Sequence, residues 1–194
     1  MGPRSIRRFA CALAATGALG SQALVPATLA AGPGPVVKHA TMHYYAVRGS
    51  TEAQIRASLN ARAPASPDGF NGDAFTQSHF HWNWPGYGTS TCSLAQASVT
   101  LTISVSFPRW TRPTAVSAGV AAAWARYAKA LARHEQGHAD IARARYPAVV
   151  RAIKRATCAT ADAAAHAQLD LMHRQDVAYD ARTNHGATQG ARFP

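Results

Sequence analysis

The sequence predicts an α+β fold: a small antiparallel sheet followed by a long helix, which carries His134-Glu135-x-x-His138, and a C-terminal helix. Two observations carry this reading. Val99, Leu101, Ile103, Val105 and Phe107 alternate with Thr100, Thr102, Ser104 and Ser106, the period-two signature of a half-buried strand. Val120, Trp124, Tyr127, Leu131, His134, His138 and Ile141 then recur at steps of three and four through a proline-free run from Gly119 to Arg145, which is one face of a helix.

The chain opens with a basic start, Arg4, Arg7 and Arg8, and an apolar or small stretch from Phe9 to Leu19 that is too short to span a bilayer. Pro26 breaks any helix there. Residues 1–30 therefore read as a secretory signal peptide, cleaved after Ala23 or after Ala30, and residues 31–194 as a single domain. A secreted or periplasmic protein with no transmembrane segment in its mature chain is expected. Ala31 to Pro35 is a Gly/Pro-rich tether, and His43 to Arg48 reads as a strand. Ser50-Thr51 starts a short helix through Asn60, with Thr51 and Gln54 at capping-box spacing. Ala61 to Gly72, with Pro64, Pro67 and Asp68-Gly69, is a loop, and Phe75 to Trp84 alternates as a strand. Pro85-Gly86 and Gly88 mark a turn. Pro108 is expected to end the clear strand and Pro147 to break or kink the long helix. A final helix is expected from about Ala159 to Ala181.

With the leader removed, Cys92 and Cys158 are the cysteines that remain. In an oxidising compartment two such cysteines pair most simply, which would tie the start of a strand to the region after the long helix. Zinc thiolates rank lower, because neither cysteine has C-x-x-C spacing. The precursor's net charge of +11, less the three leader arginines, leaves +8. That charge favours an anionic substrate or surface. The basic residues are scattered and no nucleic-acid-binding motif is present, so no nucleic-acid partner is expected.

The most specific local feature is His134-Glu135-Gln136-Gly137-His138, an H-E-x-x-H on the predicted helix. It sets two imidazoles one turn apart, about 6 Å along the axis at a rise of about 1.5 Å per residue. Both can reach one zinc ion, and Glu135 can take a proton from a water that the metal activates. Both histidines fall on the apolar stripe, an awkward core unless something binds them. Gly137 costs a helix about 1 kcal/mol relative to alanine, so a close neighbour that excludes a side chain is one explanation for it. A catalytic zinc needs a third protein ligand. The chain does not continue into H-x-x-G-x-x-H, so that ligand comes from elsewhere. His185 in the tail is the first candidate and Asp180 the alternate, either as ligand or as a support that orients a histidine. His173, Asp176 and the H-x-H pair His79 and His81 are weaker candidates.

Taken together, Tyr44-Tyr45-x-Val47-x-Gly49, Phe70-x-Gly72, Trp82-x-Trp84, Cys92, Phe107-Pro108-Arg109-Trp110, Trp124, the zinc motif, Cys158 and Tyr179-Asp180-x-x-Thr183-x-His185-Gly186 resemble the bacterial domain of unknown function 922 family, described as predicted secreted zinc-dependent proteases. The resemblance spans nearly all of the mature chain. It implies that the tail motif belongs to the functional site and that Tyr179 and Thr183 support it. The expectation is a zinc metallopeptidase acting on a peptide or protein, with His134, His138 and His185 as ligands and Glu135 as general base. The alternatives are a non-catalytic zinc-binding envelope protein and a zinc amidase acting on cell-wall peptides.

Overall fold

A computed structural model describes residues 36–65 and 72–194. The expected signal peptide, the tether and Phe70 of the loop lie outside the described residues. The elements run in the order β1 (Thr41–Val47), α1 (Glu52–Arg62), β2 (Phe75–Asn83), β3 (Ser98–Trp110), α2 (Ala118–Arg155) and α3 (Ala161–Thr183), with short 3-10 turns at Leu94–Gln96 and Ala187–Gln189. Among the described residues no helix is long and apolar enough to cross a membrane.

The fold is α+β, but its sheet is mixed. β3 is central; β2 pairs with it antiparallel, and β1 pairs with it parallel from Thr41↔Ser104 to Val47↔Trp110. The expectation of an antiparallel sheet is thus half corrected. Alternation reveals which face of a strand is buried but carries no information about direction, and β1 reaches β3 only after α1 and β2 have intervened.

Two prolines also act differently from expectation. Pro108 does not end β3, which continues to Trp110. β2 stops opposite Ser106, so beyond that point one flank of β3 carries no ladder and a residue without an N–H is tolerated. Pro147 lies inside α2, whose 38 residues run through it. Tertiary packing holds both sides: Val149 and Ile153 are fully buried beyond the proline, and Tyr146 donates to the Val99 carbonyl just before it at 2.8 Å.

α1 begins as the sequence suggests, with the Thr51 hydroxyl accepting from the Gln54 N–H. α2 lies across the sheet and joins two cores. One gathers Val47, Ile55, Leu59, Val105, Phe107, Tyr127 and Leu131, and the other Trp84, Leu94, Val149, Ile153, Ala161 and Ala165. The Cys92–Cys158 disulfide closes the second core, with a Cα–Cα separation of 5.7 Å across a sequence separation of 66.

A polar cluster under the β1–α1 end was not legible in the sequence. Asp73 receives both terminal nitrogens of Arg56 and the Tyr127 hydroxyl, while Tyr45 donates to the Asp73 carbonyl at 2.6 Å. Burial is the main reason that Tyr45 and Tyr127 are pushed well above the usual phenol range, and the Asp73 charge adds to it.

Candidate metal centre

α2 presents His134 and His138 one turn apart, as the motif requires, and both rings face the last two turns of α3. Asp176 and Asp180 stand one turn apart on that helix, so two i, i+4 pairs meet across the α2–α3 interface. His134 Nε2, His138 Nε2 and Asp180 Oδ1 converge: the separations are 3.4 Å between the two nitrogens, 3.2 Å from His134 to Asp180 and 3.1 Å from His138 to Asp180. Among the described residues these three form the group able to hold a metal ion.

The outer ring nitrogens are already committed. His134 Nδ1 lies 3.1 Å from Gln189 Oε1, and His138 Nδ1 lies 3.0 Å from Asp176 Oδ1. The amide of Gln189 is oriented by its own nitrogen, which donates to the Tyr179 hydroxyl at 3.1 Å. That hydroxyl in turn donates to the His134 carbonyl at 3.2 Å. The network therefore assigns the proton of each neutral imidazole to Nδ1 and leaves each Nε2 as a lone pair. Three acceptors then face one another across little more than 3 Å, which is repulsive unless a cation or a proton lies between them.

Left to protons alone, His138 takes that role. Burial works against its charge, but hydrogen bonds to Asp176 and Asp180 outweigh it and raise its pKa to about 10. Burial raises Asp180, yet its hydrogen bonds with His134 and His138 hold it well below the usual carboxylate range. A tetrahedral ion with ligand bonds of about 2.0–2.1 Å would have ligand–ligand edges of about 3.3 Å, which the three separations match. Two imidazoles and one carboxylate, each ring fixed by its other nitrogen, form a donor set that fits zinc.

Glu135, between the two histidines in sequence, is held by the sheet and still feels their charge. It is only 2% exposed, and its Oε2 accepts from the Thr76 hydroxyl of β2 at 2.7 Å. Burial pushes its pKa up, while the Thr76 hydrogen bond and the two histidines pull it back down.

Tyr179 packs between the helices, stacked on the His134 ring with centroids 5.1 Å apart and edge-on to His138 at 5.0 Å. It accounts for Gly137, since a β-carbon at that position would overlap the phenol. Thr183 supports the tail: its hydroxyl donates to the Tyr179 carbonyl at 2.9 Å and accepts the Gly186 N–H at 3.2 Å. Asn184, His185 and Gly186 all have positive φ, so the chain turns sharply back over α2. Gly186 then sits against His134, where a β-carbon would come within 2.9 Å of the ring.

His185 is half exposed beside the cluster, its Nδ1 3.8 Å from Asp180 Oδ2. The converging triad contains Asp180, the alternate candidate, in place of His185. Asp176 orients His138 as described, and His173 is exposed. His79 and His81 are exposed on β2, and among the described residues they join no group of three potential ligands. Sequence reasoning missed Gln189 and Thr76. Neither has a local signal, although the one-turn spacing of Asp176 and Asp180 could have marked α3 as the partner face.

These features define the class of protein: a mixed α+β chain whose longest helix and following helix share a His–His–Asp cluster suited to a metal. Residues 42–186 match the family model described as bacterial protein of unknown function (DUF922), and the chain belongs to that family. Comparison with curated proteins and with solved structures finds no match. The family match ends at Gly186, before Gln189.

Proposed function

We propose that this protein is an exported zinc-dependent hydrolase of peptide bonds, with His134, His138 and Asp180 holding the metal and Glu135 as general base. The observation that carries the reading is the convergence of three acceptor atoms, two of them on imidazoles already fixed through Gln189 and Asp176. A zinc ion bound there would act as a Lewis acid and lower the pKa of water. Glu135, its pKa raised by burial while the neighbouring histidines pull it down, suits a group that takes up and returns a proton. Thr76 holds its carboxylate in one orientation through Oε2 and leaves the other oxygen for that transfer. Tyr179, wedged against both imidazoles, keeps the helices at a fixed separation.

One observation favours a second reading. Glu135 is almost completely covered, as suits a non-catalytic protein that uses zinc as a clamp between α2 and α3. Metal content and peptide hydrolysis, measured together, separate the two. Wild type is expected to carry about one zinc per chain, lost in His134→Ala and Asp180→Ala. Glu135→Gln should keep zinc and lose hydrolysis of a mixed peptide library. If the Gln variant cleaves as well as the parent, Glu135 is not the base. If the zinc-loaded wild type cleaves nothing, the clamp is the better account.

A further inference from the structure

A groove of about 420 Å³ runs along the α2–α3 pair that carries the triad. Its floor includes Ile141, Leu171 and Ala178, and Arg145, Arg174 and Arg182 line it with no carboxylate among its walls. It borders the cluster closely: Ile141 follows His138 by one turn of α2, and Ala178 and Arg182 flank Tyr179 and Asp180 on α3.

The three cations meet no carboxylate among the described residues: glutamines hold Arg145, and Arg182 lies over the Tyr179 ring, 5.9 Å from its centroid. Among the described residues none of them is ion-paired with an acidic side chain, whereas Arg56 and Arg143 both are. Arg145 is preset in the groove by Gln168 at 3.2 Å and Gln175 at 2.8 Å, and its buried Nε has no partner. Leu171 is 37% exposed beside these charges, one of few large apolar side chains left open to water among the described residues.

We infer that this groove binds an acidic peptide segment, presenting guanidinium forks to carboxylate side chains and an apolar floor to the residues between them. Guanidinium matches carboxylate bidentately. The apolar floor favours a peptide over a phosphate polymer, which has nothing to bury there. The high positive charge of the chain steers such a ligand toward the protein at long range, and the groove adds the local match. Its role as a substrate subsite rests on the hydrolase reading above; the binding does not.

The test uses zinc-loaded mature protein carrying Glu135→Gln, so that a fluorescent peptide alternating glutamate with leucine is not consumed. Fluorescence anisotropy is expected to show it binding about tenfold tighter than the same peptide with glutamine in place of glutamate. Arg174→Gln with Arg182→Gln should erase that preference with zinc content unchanged. Arg151→Gln with Lys154→Gln, equal in charge but at the far end of α2, should preserve it. The inference is overturned by an absent preference or by equal losses in the two double variants, which would show net charge alone at work. It is also overturned if inorganic polyphosphate binds tighter than the peptide through the same arginines. Preserved peptide binding alongside a wild type that cleaves nothing would keep the groove and remove the hydrolase reading.

Discussion

Gln189 Oε1 stands 3.1 Å from His134 Nδ1, and this one contact decides which nitrogen of the first motif histidine faces His138 and Asp180. The glutamine reaches that position only because three successive residues of positive φ fold the tail back over α2.

Removing that support should loosen the metal without unfolding the chain. Gln189→Ala is expected to weaken zinc binding about 10- to 100-fold, the usual cost of losing a partner that orients a metal-ligating histidine. Gln189→Glu keeps an acceptor at Nδ1 and should restore most of the affinity. Competition against a chromophoric chelator reads both, and unchanged affinity in the alanine variant would mean that Tyr179 stacking alone fixes the ring.

Gly137→Ala tests the helix contact by its sign. Helix propensity alone predicts stabilisation of about 1 kcal/mol. The phenol of Tyr179 occupies the space of the new methyl group, so a lower Tm and a loss of zinc are expected instead. Tyr179→Ala should reverse the steric part of the Tm effect in the double variant. A stabilised single variant would show that α3 can shift freely.

Stability should fall at alkaline pH. Tyr127 and Tyr45 are held neutral well above the ordinary phenol value of about 10. The unfolded chain therefore releases those protons first, and the stabilisation present below about pH 10 is lost as pH rises, by about 1.4 kcal/mol per pH unit for a deeply buried group such as Tyr127. Tyr127→Phe should be less stable at neutral pH, having lost its 2.7 Å bond to Asp73, but should fall less steeply above pH 10 in urea titrations. Parallel curves for parent and variant would remove Tyr127 as the cause.

Reduction of Cys92–Cys158 should cost about 2–4 kcal/mol, because the bridge constrains a long stretch of the unfolded chain. The measurement is the urea midpoint with and without reductant, alongside the Cys92→Ser, Cys158→Ser double variant. Zinc content is expected to survive, since the bridge closes the second core and the triad lies at the other end of α3. Loss of zinc on reduction would show that the bridge sets the helix pairing.

Elements that depend on local periodicity were legible from residue order alone. Alternation marked β3, three-and-four spacing marked α2, and H-E-x-x-H placed two imidazoles on one helix face with a carboxylate beside them. Cys92 and Cys158, the cysteines outside the expected leader, could pair with few rivals, and they do. Tertiary structure alone decided the rest. Strand direction, the passage of β3 and α2 through their prolines, and the choice of Asp180 over His185 for the converging triad depend on contacts between residues distant in sequence. Thr76 is 59 residues from Glu135 and Gln189 is 55 from His134, so no local pattern links either pair. His185 and Asp180 are equally good ligands by residue type. They differ because Asp180 still lies on the regular pitch of α3, facing α2, whereas His185 lies beyond the helix, within the left-handed turn that ends it.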